Sequence, residues 1–369
     1  MIATSNMGYG GAERRVSILC NFLAEQSLEV SLSYTGNNRR PSVYELNDRV
    51  NEFYITKPWM IKTRKFLEKI NPSGGILFIL RRIILRREIK RTKPDIIVTF
   101  MPNSARVMKT ALKGIDIPVI LSIANDIEHR SKEYIDNYRT TLNNISGIVF
   151  QTKAQQKQYN DIFSIAPNVK QTVINNPAWE SNYWYKERLN NKNEIISVGR
   201  LIPAKNYQLL ILAFSKIAEK YNDWILTIYG EGDLRQELEN QISELGLTNR
   251  AFLKGTANDI DKKLFESSIF VLSSEFEGLP NALIEAMCMG LPSVVTDFNG
   301  GGAQELITNN LNGIIVPNHN EQKLAEAISY LIENSEVAKK LGENAKYLRE
   351  RLSPIIILTK WLDFFKEFS

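Results

Sequence analysis

Cysteine and histidine are nearly missing, with two of each among 369 residues, and that scarcity removes several kinds of chemistry at once. Cys20 and Cys288 cannot build a disulfide framework, and a chain of this length needs none to hold its core. Both lie in apolar helical contexts and read as buried free thiols of a reducing compartment. No Cys/His spacing matches a zinc motif. Internal repeats and low-complexity tracts are also absent, which excludes a solenoid. No apolar run reaches the roughly 18 residues of a membrane span and no secretory signal opens the chain, so the expectation is a cytoplasmic protein. Positive charge is in mild excess, +5 overall, which argues against nucleic acid as a partner and shifts the question to where the charge sits.

What is present is alternation. PDIIVTF (94–100), PVILSI (118–123), GIVFQT (147–152) and QTVINN (171–176) are short, β-branched apolar runs that read as buried strands. A second set follows in EIISVG (194–199), WILTIYG (224–230), AFLKG (251–255), IFVLSS (269–274) and PSVVTD (292–297). Amphipathic helical patterns separate them, such as YQLLILAFSKIAEKY (207–221) and LRQELENQISELG (234–246). This predicts an α/β protein with two parallel sheets covered on both faces. The polar stretch 175–194 has no period, and a boundary near Ala178 gives domains 1–178 and 179–353. The segment 354–369 is then a helix that either caps the second domain or returns to the first. Two such Rossmann-like domains would turn their strand C-termini toward a shared cleft. The opening MIATSNMGYGG reads as the end of a strand running into a turn, so the first strand is expected to be very short or incomplete.

The stretch EFEGLPNALIEAM (275–287) carries two carboxylates, Glu277 and Glu285, around a Gly-Leu-Pro turn. Pro280 suits a first helical position, and the helix N-terminus with Gly278 before it suits an anion. Glu285 then lies roughly 7.5 Å along the axis, where a carboxylate can meet vicinal hydroxyls. Spacing alone leaves open a surface turn followed by a solvated acid.

The E-x7-E spacing of Glu277 and Glu285, with Glu-Gly at the first acid and Glu-Ala-Met at the second, resembles that of the retaining GT-B glycosyltransferases of family GT4. SVGRLIPAKN (197–206), IYGEGDLRQEL (228–238), FNGGGAQELI (298–307) and GYGGAERRV (8–16) are similar to further motifs of that family, in the family's order. The resemblance implies a GT-B fold and a nucleotide-sugar donor gripped by the second domain. Glu277 would meet the sugar, the backbone of Gly278, Leu279 and Pro280 the diphosphate, and Glu285 the ribose. Arg200 and Lys205 would stabilise the departing diphosphate, as cations on a developing charge do; alone they would read as a solvated basic turn. Gly199 and Gly230 belong to the phosphate-side turns, and the backbone at Leu253, Lys254 and Gly255 would meet the base. Gly10 and Gly11 would face donor phosphates and acceptor across the cleft.

After the strand PVILSI, the family's corresponding loop reaches the acceptor or the donor sugar. Here it carries Asn125, Asp126 and His129, with Asp126 the choice for an acceptor-orienting group and Asn125 and His129 as acceptor-side candidates. His129 and His319 otherwise read as surface or structural histidines. The triplet in NDID (258–261) mimics a metal-binding Asp-x-Asp, but Asp259 stands where a helix N-cap is wanted, and the family works without a metal or other cofactor. Basic residues concentrate in MIKTRKFLEKI (60–70) and GGILFILRRIILRREIKRTKPD (74–95), interleaved with Ile and Leu. Such a helix suits anionic headgroups, and its bland alternative is packing on its own sheet.

The expectation is therefore transfer of a hexosyl or N-acetylhexosaminyl unit, from a donor that is UDP-linked in the commonest relatives, to a lipid-linked or nascent surface glycan. The place would be the inner face of a bacterial membrane. A GT-B epimerase would need more cleft histidines than this chain has. A non-catalytic two-lobed binding protein is the remaining alternative.

Overall fold

Seven parallel strands form the first sheet: β1 (Ile2–Thr4), β2 (Val30–Tyr34), β3 (Val50–Tyr54), β4 (Ile97–Thr99), β5 (Val119–Ser122), β6 (Gly147–Phe150) and β7 (Lys170–Val173). Their order is β3-β2-β1-β4-β5-β6-β7. This computed structural model describes residues 1–368 except Asn6, Tyr9, 37–40, 64–74, Met101, 124–131 and 187–191, with the backbone alone at 132–134 and 137. Strand β1 is three residues long yet central, Ile2 lying opposite both Leu32 and Val98. The expected strands β4 to β7 are found. Strands β2 and β3 escaped the search for continuous apolar runs because Ser31, Ser33, Asn51 and Glu52 interrupt them; β3 is an edge strand whose Asn51 and Glu52 are exposed.

The second sheet has six parallel strands, β8 (Glu194–Val198), β9 (Ile225–Tyr229), β10 (Ala251–Leu253), β11 (Ile269–Leu272), β12 (Ser293–Thr296) and β13 (Ile314–Val316), in the order β10-β9-β8-β11-β12-β13. Strands β11 and β12 are buried along their whole length, as expected of strands covered on both faces. In both sheets the order reverses beside the first strand of the set, at β1/β4 and β8/β11. Open α/β sheets bind ligands outside the strand C-termini at that switch point.

The chain divides into one unit of Met1–Asn175 with Ile355–Ser369 and another of Asn176–Pro354. The crossing thus lies at Asn175/Asn176, slightly before Ala178. Most of the helix Pro354–Lys366 is part of the first unit, where Trp361 packs on Phe100 with ring centroids 6.1 Å apart.

The basic segment forms the helix Gly75–Thr92, and its cations split into two groups. Leu85, Glu88 and Ile89 are buried. Arg81 donates to the Thr35 carbonyl, Arg86 to the carbonyls of Ala111 (2.7 Å) and Lys113 (2.8 Å), and Arg91 pairs with Glu88. Arg81 and Arg86 are thereby tied into the fold, which corrects the expectation that the whole series flanks an outer face; Arg91 stays exposed, its partner lying in its own helix. Arg82, Arg87 and Lys90 are exposed, and between them Ile79 and Ile83 are 52% and 56% exposed. Upstream, Trp59 and Ile61 are exposed, while 64–70 fall outside the described residues. Among the described residues no helix is long and apolar enough to cross a membrane.

Candidate functional site

In the second unit the predicted donor residues leave the C-terminal ends of neighbouring strands. After β8 the chain turns through Gly199 and Arg200 into the 3-10 turn Pro203–Lys205. Asn206, in the left-handed region at φ 46°, caps the helix Tyr207–Ala218 by accepting the Leu209 N–H at 3.3 Å. The Lys205 side chain returns over Gly199: a Cβ there would lie 2.9 Å from Lys205 Cε and 2.8 Å from the Tyr207 hydroxyl. A Cβ there would crowd both side-chain ends and displace the Lys205 ammonium end from this position. Burial pushes the Tyr207 hydroxyl above its ordinary range, so it stays protonated at neutral pH. Arg200 is exposed.

After β11 the chain carries Glu277 to Lys205. Lys205 Nζ pairs with Glu277 Oε1, which also accepts the Ser274 hydroxyl at 3.2 Å. The two side chains are 16% and 18% exposed, so the pair is largely withdrawn from water. Main-chain groups lock the two loops together: Glu275 N–H donates to Ala204 O at 2.9 Å, and the Ser273 hydroxyl to Lys205 O at 2.9 Å. The loop after β12 closes the other side, with Glu277 N–H donating to Asn299 O at 3.3 Å. Gly300 has φ +101°, and a Cβ on it would fall 2.1 Å from the Glu277 carbonyl oxygen. A side chain at that position would push Glu277 away.

The helix Asn281–Cys288 follows. Pro280 occupies its N-cap (φ −76°, ψ 113°) rather than its first helical position, and no side chain caps the helix there. Its Leu283, Ile284, Ala286 and Met287 are buried, while Glu285 is half-buried one turn after Asn281. Gly278, Leu279 and Pro280 are buried. After β9 and β10, Gly230 N–H donates to Gly255 O at 2.8 Å. Lys254 N–H donates to Ile228 O at 2.9 Å, and Leu253 O accepts from Arg235 at 3.4 Å. Those engaged groups narrow what this segment of backbone could offer a base.

Asp259 does stand at an N-cap, of the helix Ile260–Glu266, but its side chain makes no capping bond and instead pairs with Lys263 at 3.3 Å. The expected side-chain cap is thus corrected; an ion pair one turn along has taken the carboxylate. Among the described residues no three His, Cys, Asp or Glu side chains gather as a metal-ligand group. His319 is exposed, with Nδ1 3.6 Å from Glu275.

In the first unit Gly10 is the N-cap of the helix Gly11–Glu25. The Glu13 carboxylate folds back over it, with Oε2 2.3 Å from where a Cβ would stand. The Tyr44 hydroxyl accepts from Gly10 N–H at 3.2 Å. Arg15, which the sequence reading passed over, is 6% exposed, lies 5.3 Å over the Phe100 ring and donates to the Ser122 hydroxyl at 2.7 Å, at the C-terminal end of β5. Burial lowers its pKa to about 10, which leaves it cationic at neutral pH. Asn125, Asp126 and His129 lie outside the described residues.

This arrangement can be set beside known proteins. The family model for glycosyl transferases group 1 matches residues 184–347, the unit that holds Lys205 and Glu277. A Methanocaldococcus jannaschii protein named an uncharacterized glycosyltransferase is 34% identical over 309 residues, 73% of this chain and 75% of its own. The chain belongs to the group 1 glycosyl transferases. This glycosyltransferase has the GT-B fold, each unit supplying one Rossmann-like sheet. It is also similar, at 24% identity over 100% of its length and 97% of the relative's, to a Campylobacter jejuni alpha-1,4-N-acetyl-D-galactosaminyltransferase. That enzyme's name gives a diNAcBac-PP-undecaprenol-linked GalNAc disaccharide as its substrate. Among solved structures, Staphylococcus aureus TarM, a mutant in complex with fondaparinux, alpha-GlcNAc-glycerol and UDP, superimposes with a TM-score of 0.69 at 25% identity. The match covers 77% of this glycosyltransferase and only 59% of TarM.

Proposed function

We propose that this glycosyltransferase moves a hexosyl or N-acetylhexosaminyl unit from a UDP-sugar to a lipid-linked or growing surface glycan, with retention of configuration and without a metal. The observation that carries the reading is the withdrawn Lys205–Glu277 pair at the switch point, beside a helix with no side-chain cap. UDP is the nucleotide of the TarM complex, and an undecaprenol-linked glycan is the acceptor in the Campylobacter enzyme's name.

In this reading the diphosphate lies over the first turn of the helix Asn281–Cys288 and draws Lys205 from Glu277, with Arg200 as second cation. Glu277, released, accepts from a hydroxyl of the sugar; Glu285 accepts from the ribose. The bond from the anomeric carbon to the diphosphate oxygen breaks as the acceptor oxygen joins that carbon on the same face. The acceptor proton passes to the departing diphosphate. The protein's part is positioning and charge stabilisation. Asp126, with Asn125 and His129, orients the acceptor, and Gly10 and Gly11 give it close approach. Ile79 and Ile83, set among Arg82, Arg87 and Lys90, rest the enzyme on an anionic leaflet at the cytoplasmic face.

Incubation with UDP-N-acetylglucosamine, UDP-N-acetylgalactosamine and UDP-glucose in EDTA tests the reading. The expected result is slow UDP release that Glu277→Ala abolishes. UDP release from none of the three, or release that requires an added divalent cation, overturns it.

A further inference from the structure

At the N-terminal ends of β4 and β5, away from the switch point, the first unit holds a cavity of about 630 Å³. That volume lies within the range of ligand pockets. Its apolar wall is Ile89 from the basic helix, Ile96, Ile115 and Ile117 from the two strand entries, and Phe368. Arg86 fixes one side by donating to the carbonyls of Ala111 and Lys113, which holds the connection into β5 beside the helix. Phe368 is fixed from the other side. A Cβ on Gly147 would fall 2.6 Å from its Cζ, and Lys170 Nζ lies 4.9 Å over its ring.

The mouth carries Lys90, Lys93, Asp95 and Asp116, all exposed. Among the described residues none of the four forms an ion pair. Lys93 stands in the left-handed region at φ 43°, just past the helix Gly75–Thr92, where glycine or asparagine is favoured. A lysine there is strained, and no ion pair within the unit offsets the strain. Two cations and two carboxylates around an apolar pocket match a molecule with a zwitterionic head and an apolar body. A phosphate would face the ammonium groups, and a primary amine would donate to the carboxylates, which a quaternary ammonium cannot do. The helix indicates how such a molecule is met. At about 100° per residue, Ile79, Ile83 and Lys90 fall within about 40° of one another. The stripe bearing the exposed isoleucines thus leads to the mouth, about 10 Å along the axis beyond Ile83.

We propose that this cavity binds an aminophospholipid, with its phosphate against Lys90 and Lys93, its amine against Asp95 and Asp116, and an acyl chain among the isoleucines. The inference rests on the leaflet contact of Ile79 and Ile83 for how the lipid is met, and adds a headgroup preference to it. None of the cavity residues belongs to the donor grip or the acceptor-side loop.

The test is calorimetric titration of dihexanoyl phosphatidylethanolamine, phosphatidylcholine and phosphatidylglycerol, each kept monomeric below its micelle concentration. The proteins are wild type, Lys93→Gly, Asp116→Asn, Ile115→Trp and Arg82→Ser/Arg87→Ser, with a melting curve for each. The expected result is one lipid per chain, the ethanolamine lipid bound about fivefold or more tighter than the other two, as a few exposed charge contacts would give. Lys93→Gly and Asp116→Asn should each weaken it about threefold, and Asp116→Asn should narrow the preference over choline. Lys93→Gly should melt no lower than wild type, since glycine suits the left-handed position; a merely structural lysine would leave lipid affinity unchanged. Ile115→Trp, which fills the cavity, should remove binding of all three lipids. Should it fail to fold, Lys93→Gly and Asp116→Asn decide. Arg82→Ser/Arg87→Ser, outside the cavity, should bind monomeric lipid as wild type does. No binding by wild type, equal affinity for the three headgroups, or wild-type affinity in the cavity variants overturns the proposal. Flotation on phosphatidylglycerol against phosphatidylcholine vesicles tests the leaflet reading separately, and failure there with monomer binding intact overturns the leaflet contact alone.

Discussion

The Lys205–Glu277 pair offers a perturbation whose size can be worked from its surroundings. Unit charges about 4 Å apart attract by roughly 4 kcal/mol at the effective dielectric of a near-surface site. Desolvation takes back much of that, because both side chains are more than four-fifths withdrawn from water. A net coupling of about 1–2 kcal/mol follows. Removing one partner costs more, about 1–3 kcal/mol, because the other charge remains withdrawn; Glu277 keeps the Ser274 hydroxyl beside it. The assay is urea unfolding of wild type, Lys205→Met, Glu277→Gln and the double variant, with and without saturating UDP. Tryptophan fluorescence and circular dichroism should be fitted as separate transitions, because two units need not unfold together. Without nucleotide, the double variant should be more stable than the two single losses predict, by the coupling energy. With UDP, Lys205 turns to the diphosphate and the coupling should fall below about 0.5 kcal/mol. Strict additivity without UDP, or a coupling that UDP leaves unchanged, refutes the idea that the pair is a resting state opened by the donor.

Four further outcomes can be checked. Glu285→Ala should raise the UDP dissociation constant by about tenfold or more in calorimetry while the protein melts normally, since its carboxylate is half-buried and outside the core. Burial pushes the thiols of Cys20 and Cys288 up to about 12, so a thiol-reactive chromogen should find neither in the native protein and both in guanidinium. Hydrogen bonds from Lys192, Arg235, Lys323 and Lys220 hold Glu266, Glu231, Glu326 and Glu333 below the ordinary 4.5. A lowered folded pKa means stability that is present above the unfolded value and lost as pH falls through the folded one, so the small, solvent-screened contribution of these surface pairs to the second unit should be intact above about pH 5 and fade below about 4.5, seen as a slight fall in its melting temperature. In flotation, the wild type should rise with phosphatidylglycerol vesicles and Arg82→Ser/Arg87→Ser/Lys90→Ser should not; equal flotation of the wild type with neutral vesicles counts against the leaflet contact.

The sequence was most legible where both faces of a strand are buried. Strands β4, β5, β6, β11 and β12 announced themselves as apolar runs because they are buried along their whole length, while the edge strands β7 and β10 were legible from their β-branched and apolar residues although only partly buried. The edge strand β3 did not, since Asn51 and Glu52 face solvent and break the run. The pairing of Lys205 with Glu277 joins residues on loops 72 positions apart, and only the sheet order that sets β8 beside β11 brings them together. Arg15 carried no sequence signal: it reads as one more basic residue on a helix. Asp259 shows the limit of local rules, because its N-cap position was legible while the choice of Lys263 over the backbone was not. The split among the helix 75–92 arginines likewise depends on which carbonyls lie opposite, at Thr35, Ala111 and Lys113.

The measurement closest to the central claim is titration of UDP, in EDTA, into wild type and into Arg200→Ala/Lys205→Met. The account predicts one UDP per chain and a loss of at least about a hundredfold in the variant, as two charge-assisted contacts to phosphate would give. Wild-type affinity in the double variant would contradict it.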